Sequence, residues 1–273
     1  MRKAIVLFIS LCYTHAFSQS VRSPVSAGYI GTGAYSTNHV DVFSCTDNQA
    51  ALSQIKNISL GFYGEKRFLL DGLNMLSAIV AMPTASGNFA LQMDYFGFSN
   101  YNESQIGVAY ARSVGKKFDV GAKFNYYSIR IPAYRKASTV DFEIGGIAHI
   151  TDKLNIGIHA SNPVGGNFSG GDNEKLSSIY KLGIGYDASE SFFVTAELIK
   201  EEDQQLNINA GFQYNFIKRF FVRAGLATEL NSYYAGAGIT WENIRLDVNA
   251  SYHYPLGLTP GLMLIVNFKE KGK

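Results

Sequence analysis

The residues able to do chemistry in this chain are few and scattered. After the first segment the histidines are His39, His149, His159 and His253, and Cys45 is the single cysteine. A serine hydrolase needs Ser, His and an orienting partner converging on one side. Ser161 near His159 is too common a pattern to indicate one. His149 and His159 fall on neighbouring predicted strands joined by a turn centred on Asp152. That places His149 beside Asn155 and His159 beside Gly145, out of register for a shared metal. Gly-X-Ser-X-Gly, HExxH, CxxC and phosphate-loop patterns are absent. The run from Asn167 to Gly171 reads as a flexible connection. No catalytic residue, metal site or cofactor is expected.

The remaining chemistry is charge in an unusual place. Asp94, Asp119, Lys123, Asp141, Glu143, Lys181, Glu197, Arg223, Arg245 and Asp247 each alternate with apolar neighbours. In Phe118–Tyr126, for example, Phe118, Val120, Ala122, Phe124 and Tyr126 share one face. Asp119, Gly121, Lys123 and Asn125 share the other. The same split recurs in 88–95, 206–215 and 244–253. Mixed signs on adjacent strands point to mutual pairing, not to a single-sign ion filter.

Such residues must be positioned by strands, and the alternation predicts about fourteen, with twelve as the alternative. They fall near 58–63, 75–82, 87–97, 104–114, 118–129, 140–150, 154–161, 178–187, 192–199, 206–216, 220–227, 232–241, 244–253 and 262–268. Short connections (83–86, 115–117, 151–153, 188–191, 217–219, 242–243) alternate with long ones (130–139, 162–177, 200–205 and a stretch after 97). That asymmetry, with about 9–11 residues per tilted strand and aromatics such as Tyr95, Tyr110, Tyr126, Tyr186, Tyr214, Phe216, Trp241, Tyr252 and Phe268 at strand ends, is the pattern of an antiparallel outer-membrane β-barrel. An even strand number puts both barrel ends of the chain on the periplasmic side. A soluble two-sheet sandwich is the competing architecture. It would bury many Tyr hydroxyls that each need a partner.

Composition agrees. Of 273 residues, 17% are charged and 14% aromatic, with 27 Gly, 6 Pro and 2 Cys. Disorder needs higher charge and fewer aromatics. The net charge of +2 gives no basic footprint for nucleic acid. Residues 1–19 read as a secretory signal: Arg2 and Lys3, an apolar run Ala4–Tyr13, then Ala16 and Ser18 before a cleavage point. A lipoprotein reading of Cys12 is weakened by the bulky Leu11 before it. Losing Arg2 and Lys3 leaves basic and acidic residues equal in number. Beyond the signal, no stretch is long and apolar enough for a membrane helix. The expected layout is therefore signal 1–19, an N-terminal segment 20–57 outside the strand pattern and a transmembrane barrel 58–273.

Residues 20–57 break the alternation. Gly28, Gly31 and Gly33 are followed by Asp41-Val42-Phe43-Ser44 and Asn48-Gln49-Ala50-Ala51-Leu52. This order resembles the N-terminus of FadL-like barrels, most closely the PorV/PorQ-type branch. There an acidic residue precedes a short apolar step and an Asn-Pro-Ala-X-Leu motif. Asn48, Ala50 and Leu52 match it, and Gln49 stands where that family has Pro. The stretches 106–112, 117–122, 154–162 and 181–186 are similar to further strand markers of the family. The resemblance implies a 14-stranded barrel with the N-terminal segment, residues 20–57, folded into the lumen as a plug. It also implies a role in type IX secretion, binding secreted proteins or secretion components at the outer membrane. The alternative it implies is a FadL-like channel for hydrophobic small molecules. The chain is shorter than usual members, so reduced outer loops are expected. Plug and lumen residues singled out for binding are Asp41, Asn48, Gln49, Lys123, Glu143, Lys181, Glu197, Arg223, Arg245 and Asp247. Outer-membrane lipid is the expected surrounding.

Overall fold

A computed structural model describes residues 22, 24–166, 168–169, 175–217, 219–228 and 232–268. The expected signal at 1–19 lies outside these residues, as do Asn167, Gly170 and Gly171. Fourteen antiparallel strands form one closed cylinder. They are β1 (Ile58–Lys66), β2 (Asn74–Thr84), β3 (Gly87–Phe98), β4 (Tyr101–Val114), β5 (Phe118–Ile131), β6 (Arg135–His149) and β7 (Leu154–Ser161), then β8 (Ile179–Asp187), β9 (Phe192–Glu201), β10 (Asn207–Ile217), β11 (Phe220–Ala227), β12 (Ser232–Trp241), β13 (Ile244–His253) and β14 (Gly257–Phe268).

Each strand pairs with its neighbours in sequence, and β1 pairs with β14, Leu60 opposite Val266. Closure satisfies the backbone groups that a sandwich would leave at open edges. The side-chain period decides which way the wall faces. On β5, Phe124 is 66% exposed, while Lys123 and Asn125 are 4% and 1% exposed. The same division runs round the cylinder, with apolar residues outward and polar ones buried inward. This is the arrangement of a membrane-embedded barrel. Among the described residues no helix is long and apolar enough to cross a membrane.

One end carries only tight turns: 85–86, 115–117, 150–153, 188–191, 218–219 and 242–243. The other end differs from expectation. The anticipated long connection at 130–139 is a three-residue turn, 132–134, and the one after 97 is Ser99-Asn100. The polar residues read as loop are instead continuations of β4, β5 and β6, paired Asn102 to Arg130 and Arg130 to Lys136. Beyond the apolar belt the parity inverts: Ser128, Arg130 and Lys136 face out while Ile129 and Ala137 face in, so the pattern that marks the lower strands stops marking them. β14 likewise begins at Gly257, earlier than the expected 262, and carries Pro260 within it. The Ser99-Asn100 turn depends on Gly97 at φ 109, where an added Cβ would overlap the Tyr101 carbonyl. Only 67–73 and 162–178 are long at this end. The latter is less free than expected: Phe168 is buried with its ring 5.6 Å from that of Tyr127, and Leu176 is fully buried. With Met75, Phe96, Ile129 and Ala137 they form an apolar cluster just inside this mouth.

Candidate functional site

The interior is occupied by residues 24–55, folded as a five-residue helix α1 (Ala27–Gly31) and two 3-10 segments, Val42–Thr46 and Gln49–Gln54. Asp41 caps the first of these. Its Oδ1 accepts from the Phe43 and Ser44 amides at 2.9 and 3.2 Å, and Ser44 Oγ accepts from the Asp41 amide at 3.0 Å. Asn48 caps the second, Oδ1 accepting from the Ala50 amide at 3.0 Å. Both caps also reach the barrel wall, which accounts for the type of residue at each.

Asp41 Oδ2 accepts from Arg223 Nη2 on β11 at 3.0 Å and from Arg245 Nη1 on β13 at 2.9 Å. Arg245 Nε donates to Asp247 Oδ1 at 2.8 Å. Arg223, fully buried, donates to Gln213 Oε1 at 2.7 Å and to the Tyr29 carbonyl at 3.3 Å. The two arginines and two aspartates balance, as buried charge requires. Burial alone would push the Asp41 carboxyl up; the adjacent Arg245 and Arg223 guanidiniums outweigh it and hold it below the ordinary range.

Asn48 Nδ2 donates to the Ile158 carbonyl at 3.0 Å, and Gln49 Nε2 donates to Glu143. Glu143 also accepts from Asn125 at 2.6 Å, lies 3.6 Å from Lys123 Nζ and 3.3 Å from His159 Nε2. Lys123 donates to Gln92 Oε1 at 3.0 Å. Lys181 pairs with Asp47, and Glu197 accepts from Asn209 at 3.2 Å. The structure thus brings the residues singled out from sequence into three sets at the boundary between segment and wall: Asp41, Arg223, Arg245 and Asp247; Asn48, Gln49, Lys123 and Glu143; Lys181 and Glu197, joined by Asp47.

Room for the segment comes from inward glycines. A Cβ at Gly183 would overlap the Tyr35 ring, one at Gly145 would overlap Asn48 Oδ1, and one at Gly121 would strike the Gln49 backbone. Other anchors escaped the sequence reading. Glu65 accepts from the Val25 and Ser26 amides at 3.0 and 3.2 Å. Asp187 accepts from Ser36 Oγ at 2.6 Å and the Thr37 amide at 2.9 Å. Asn88 donates to the Leu52 and Ile55 carbonyls at 2.7 Å. All three stand at inward positions of their strands, so parity was the available signal; the backbone groups among their partners are marked by no residue pattern.

Two features bear on catalysis. Ser36, His39 and Asp187 meet, but His39 Nδ1 faces both Ser36 Oγ and Asp187 Oδ1 at 3.2 Å, and Ser36 Oγ accepts from the Asn38 and His39 amides. This arrangement fixes a buried turn and offers no proton relay. Burial pushes the Cys45 thiol up to about 12, so it stays protonated. His149 and His159 pair as expected with Asn155 and Gly145. Among the described residues no group of His, Cys, Asp and Glu could hold a metal.

Two hollows lie near the segment. An inner cavity of about 90 Å³ separates it from the wall, lined by Ile30, Phe43, Tyr63 and Met75 on its apolar side and Lys123 and Lys181 on its polar side. An outward groove of about 570 Å³ crosses β14, β1, β2 and β3, lined by Phe62, Leu76, Met93 and Leu262 around Gly64 and Ala78. Tyr63, Ser77 and Asp94 line both.

No family model matches the chain, and no curated protein does. Solved structures of similar fold include the Pseudomonas putida toluene transporter TodX, at TM-score 0.63, 9% identity and coverage of 89% of this chain and 99% of that one. The Ralstonia pickettii toluene transporter TbuX gives 0.62 and 12%, with 92% and 100% covered. A Pseudomonas aeruginosa FadL homologue gives 0.61 and 11%, with 89% and 98% covered. At these identities the likeness shows the fold: an outer-membrane-type barrel of the shape these transport proteins have.

Proposed function

We propose that the chain is an outer-membrane channel of the FadL type for hydrophobic small molecules, with residues 20–57 as its plug and the tight-turn end facing the periplasm. The observation that carries this reading is the shared lining of inner cavity and outer groove. Tyr63, Ser77 and Asp94 alone belong to both, so between β1 and β3 a single layer of sheet parts the cavity beside the plug from the groove on the bilayer side. An apolar solute held beside the plug would reach lipid there by parting the paired β1, β2 and β3, and its transfer into lipid is favourable. Toluene transporters and a FadL homologue among the solved structures of similar fold support the same direction.

The secretion role of the PorV/PorQ-type resemblance has no support in those likenesses. Short turns such as Ser99-Asn100 and 132–134 also leave little projecting surface for a protein partner. The test is uptake of toluene by cells displaying the barrel. Gly64→Leu narrows the groove; its Cβ would stand 3.3 Å from the Leu76 side chain. Uptake through the folded barrel that falls severalfold with this variant supports the reading; uptake equal to that of cells lacking the barrel overturns it.

A further inference from the structure

The outer surface of β4–β6 carries an arrangement that the channel reading does not use. The register places Asn102, Arg130 and Lys136 side by side on the outward face. The next row toward the bilayer is Ser104, Ser128 and Ser138, and the one after it begins the apolar belt with Ile106, Tyr126 and Val140. Ser138 Oγ is 3.2 Å from Ser169 Oγ of the 162–178 connection, which extends the hydroxyl row by one.

Arg130 and Lys136 are exposed, directly opposite one another, and neither is ion-paired among the described residues. Like charges directly opposite in a ladder repel and destabilise the pair. A turn closed by the Tyr134 amide on the Ile131 carbonyl at 3.0 Å, with Ala133 at φ 61, holds the two strands in that register. The wall therefore keeps two cations together where a single anion between them would relieve the repulsion. Two residues along a tilted strand raise a row by roughly 5 Å, so the pair stands about 10 Å above the Tyr126 row. Long basic side chains at that height reach back toward the membrane surface, over a row of hydroxyl donors.

We propose that this face binds the phosphate of an anionic membrane lipid, Arg130 and Lys136 bridging it and the serine row hydrogen-bonding its headgroup, with the acyl chains along the belt at Tyr126 and Val140. The assignment of that headgroup to the outer leaflet rests on the orientation given above; the binding itself does not.

The test is lipid retention by the full-length barrel in detergent, read by native mass spectrometry. The probes are phosphatidic acid, diacylglycerol with the same chains, and inorganic phosphate. Phosphatidic acid should be retained in preference to diacylglycerol. R130Q/K136Q should retain about three- to tenfold less of it, the effect of losing two partly exposed charge contacts. The charge-keeping R130K/K136R should retain it nearly as well, and inorganic phosphate at equal concentration should not displace it. Equal retention by R130Q/K136Q, equal retention of diacylglycerol, or displacement by inorganic phosphate overturns the proposal. Because detergent removes orientation and transport from the readout, failure here and failure of the channel reading are separate results.

Discussion

Asp41 and Arg223 stand 182 residues apart in the chain and 3.0 Å apart in the barrel, tying the N-terminal segment to β11. Arg245 completes the bridge from β13. Asp41→Asn leaves two buried guanidiniums with Asp247 as their one carboxylate. Removing one partner of a buried pair costs about 3 kcal/mol or more. The expected outcome is an earlier thermal transition, followed by loss of the compact form on semi-native gels, together with faster proteolysis of residues 24–55.

The same carboxylate gives a pH signature. Its folded pKa lies below the ordinary 3.8, so its contribution to stability is complete above that value and is lost as the pH falls through the lower folded one. The gap in unfolding temperature between the native chain and Asp41→Asn should be constant near neutrality and close only under strong acid. A gap that narrows between pH 5 and 7 would contradict the assignment.

Gly183 is required by the Tyr35 ring lying over it. Gly183→Val should displace that ring, lower the stability of the folded barrel and expose the segment to protease. Val at Gly146, where an added Cβ meets only Ile158 and the Asp119 carbonyl at ordinary contact distance, is the control for the loss of a strand glycine. Protection equal to that of the native chain in Gly183→Val would show that the segment does not depend on this contact.

Orientation is tested by labelling. A cysteine at Val164, which is 77% exposed on the long connection, should react with an impermeant reagent on intact cells. One at Lys116, in the opposite turn, should react only after lysis. Native Cys45 is buried and gives no background.

Phe168 and Tyr127 pack edge to face in the apolar cluster at the end that carries the 162–178 connection. Phe168→Ala removes the ring contact, and swelling of proteoliposomes in small sugars should rise above that of the native barrel. An unchanged rate would place the barrier deeper, at the segment.

Much of this was legible in the residues. Alternation in Phe118–Tyr126 and its counterparts gave the strands and the inward charges, because a two-residue period is imposed by the pleat itself. The histidine registers on β6 and β7 followed from turn length alone. The tops of β4–β6 were not legible: there Arg130 and Lys136 face out above the apolar belt while Ile129 and Ala137 face in, which inverts the parity of the lower strands. Nor were the backbone partners of Glu65, Asp187 and Asn88, since pairing with an amide or carbonyl leaves no trace in side-chain type.

The segment is gripped by Asn88 on β3 and by Arg245 on β13, while the seam of the cylinder is β1 against β14. The segment is therefore a tie across the ring, holding staves on both sides of that seam at one spacing. Drawn out of the bore, it would leave Arg245 with Asp247 alone and Arg223 without the Asp41 carboxylate.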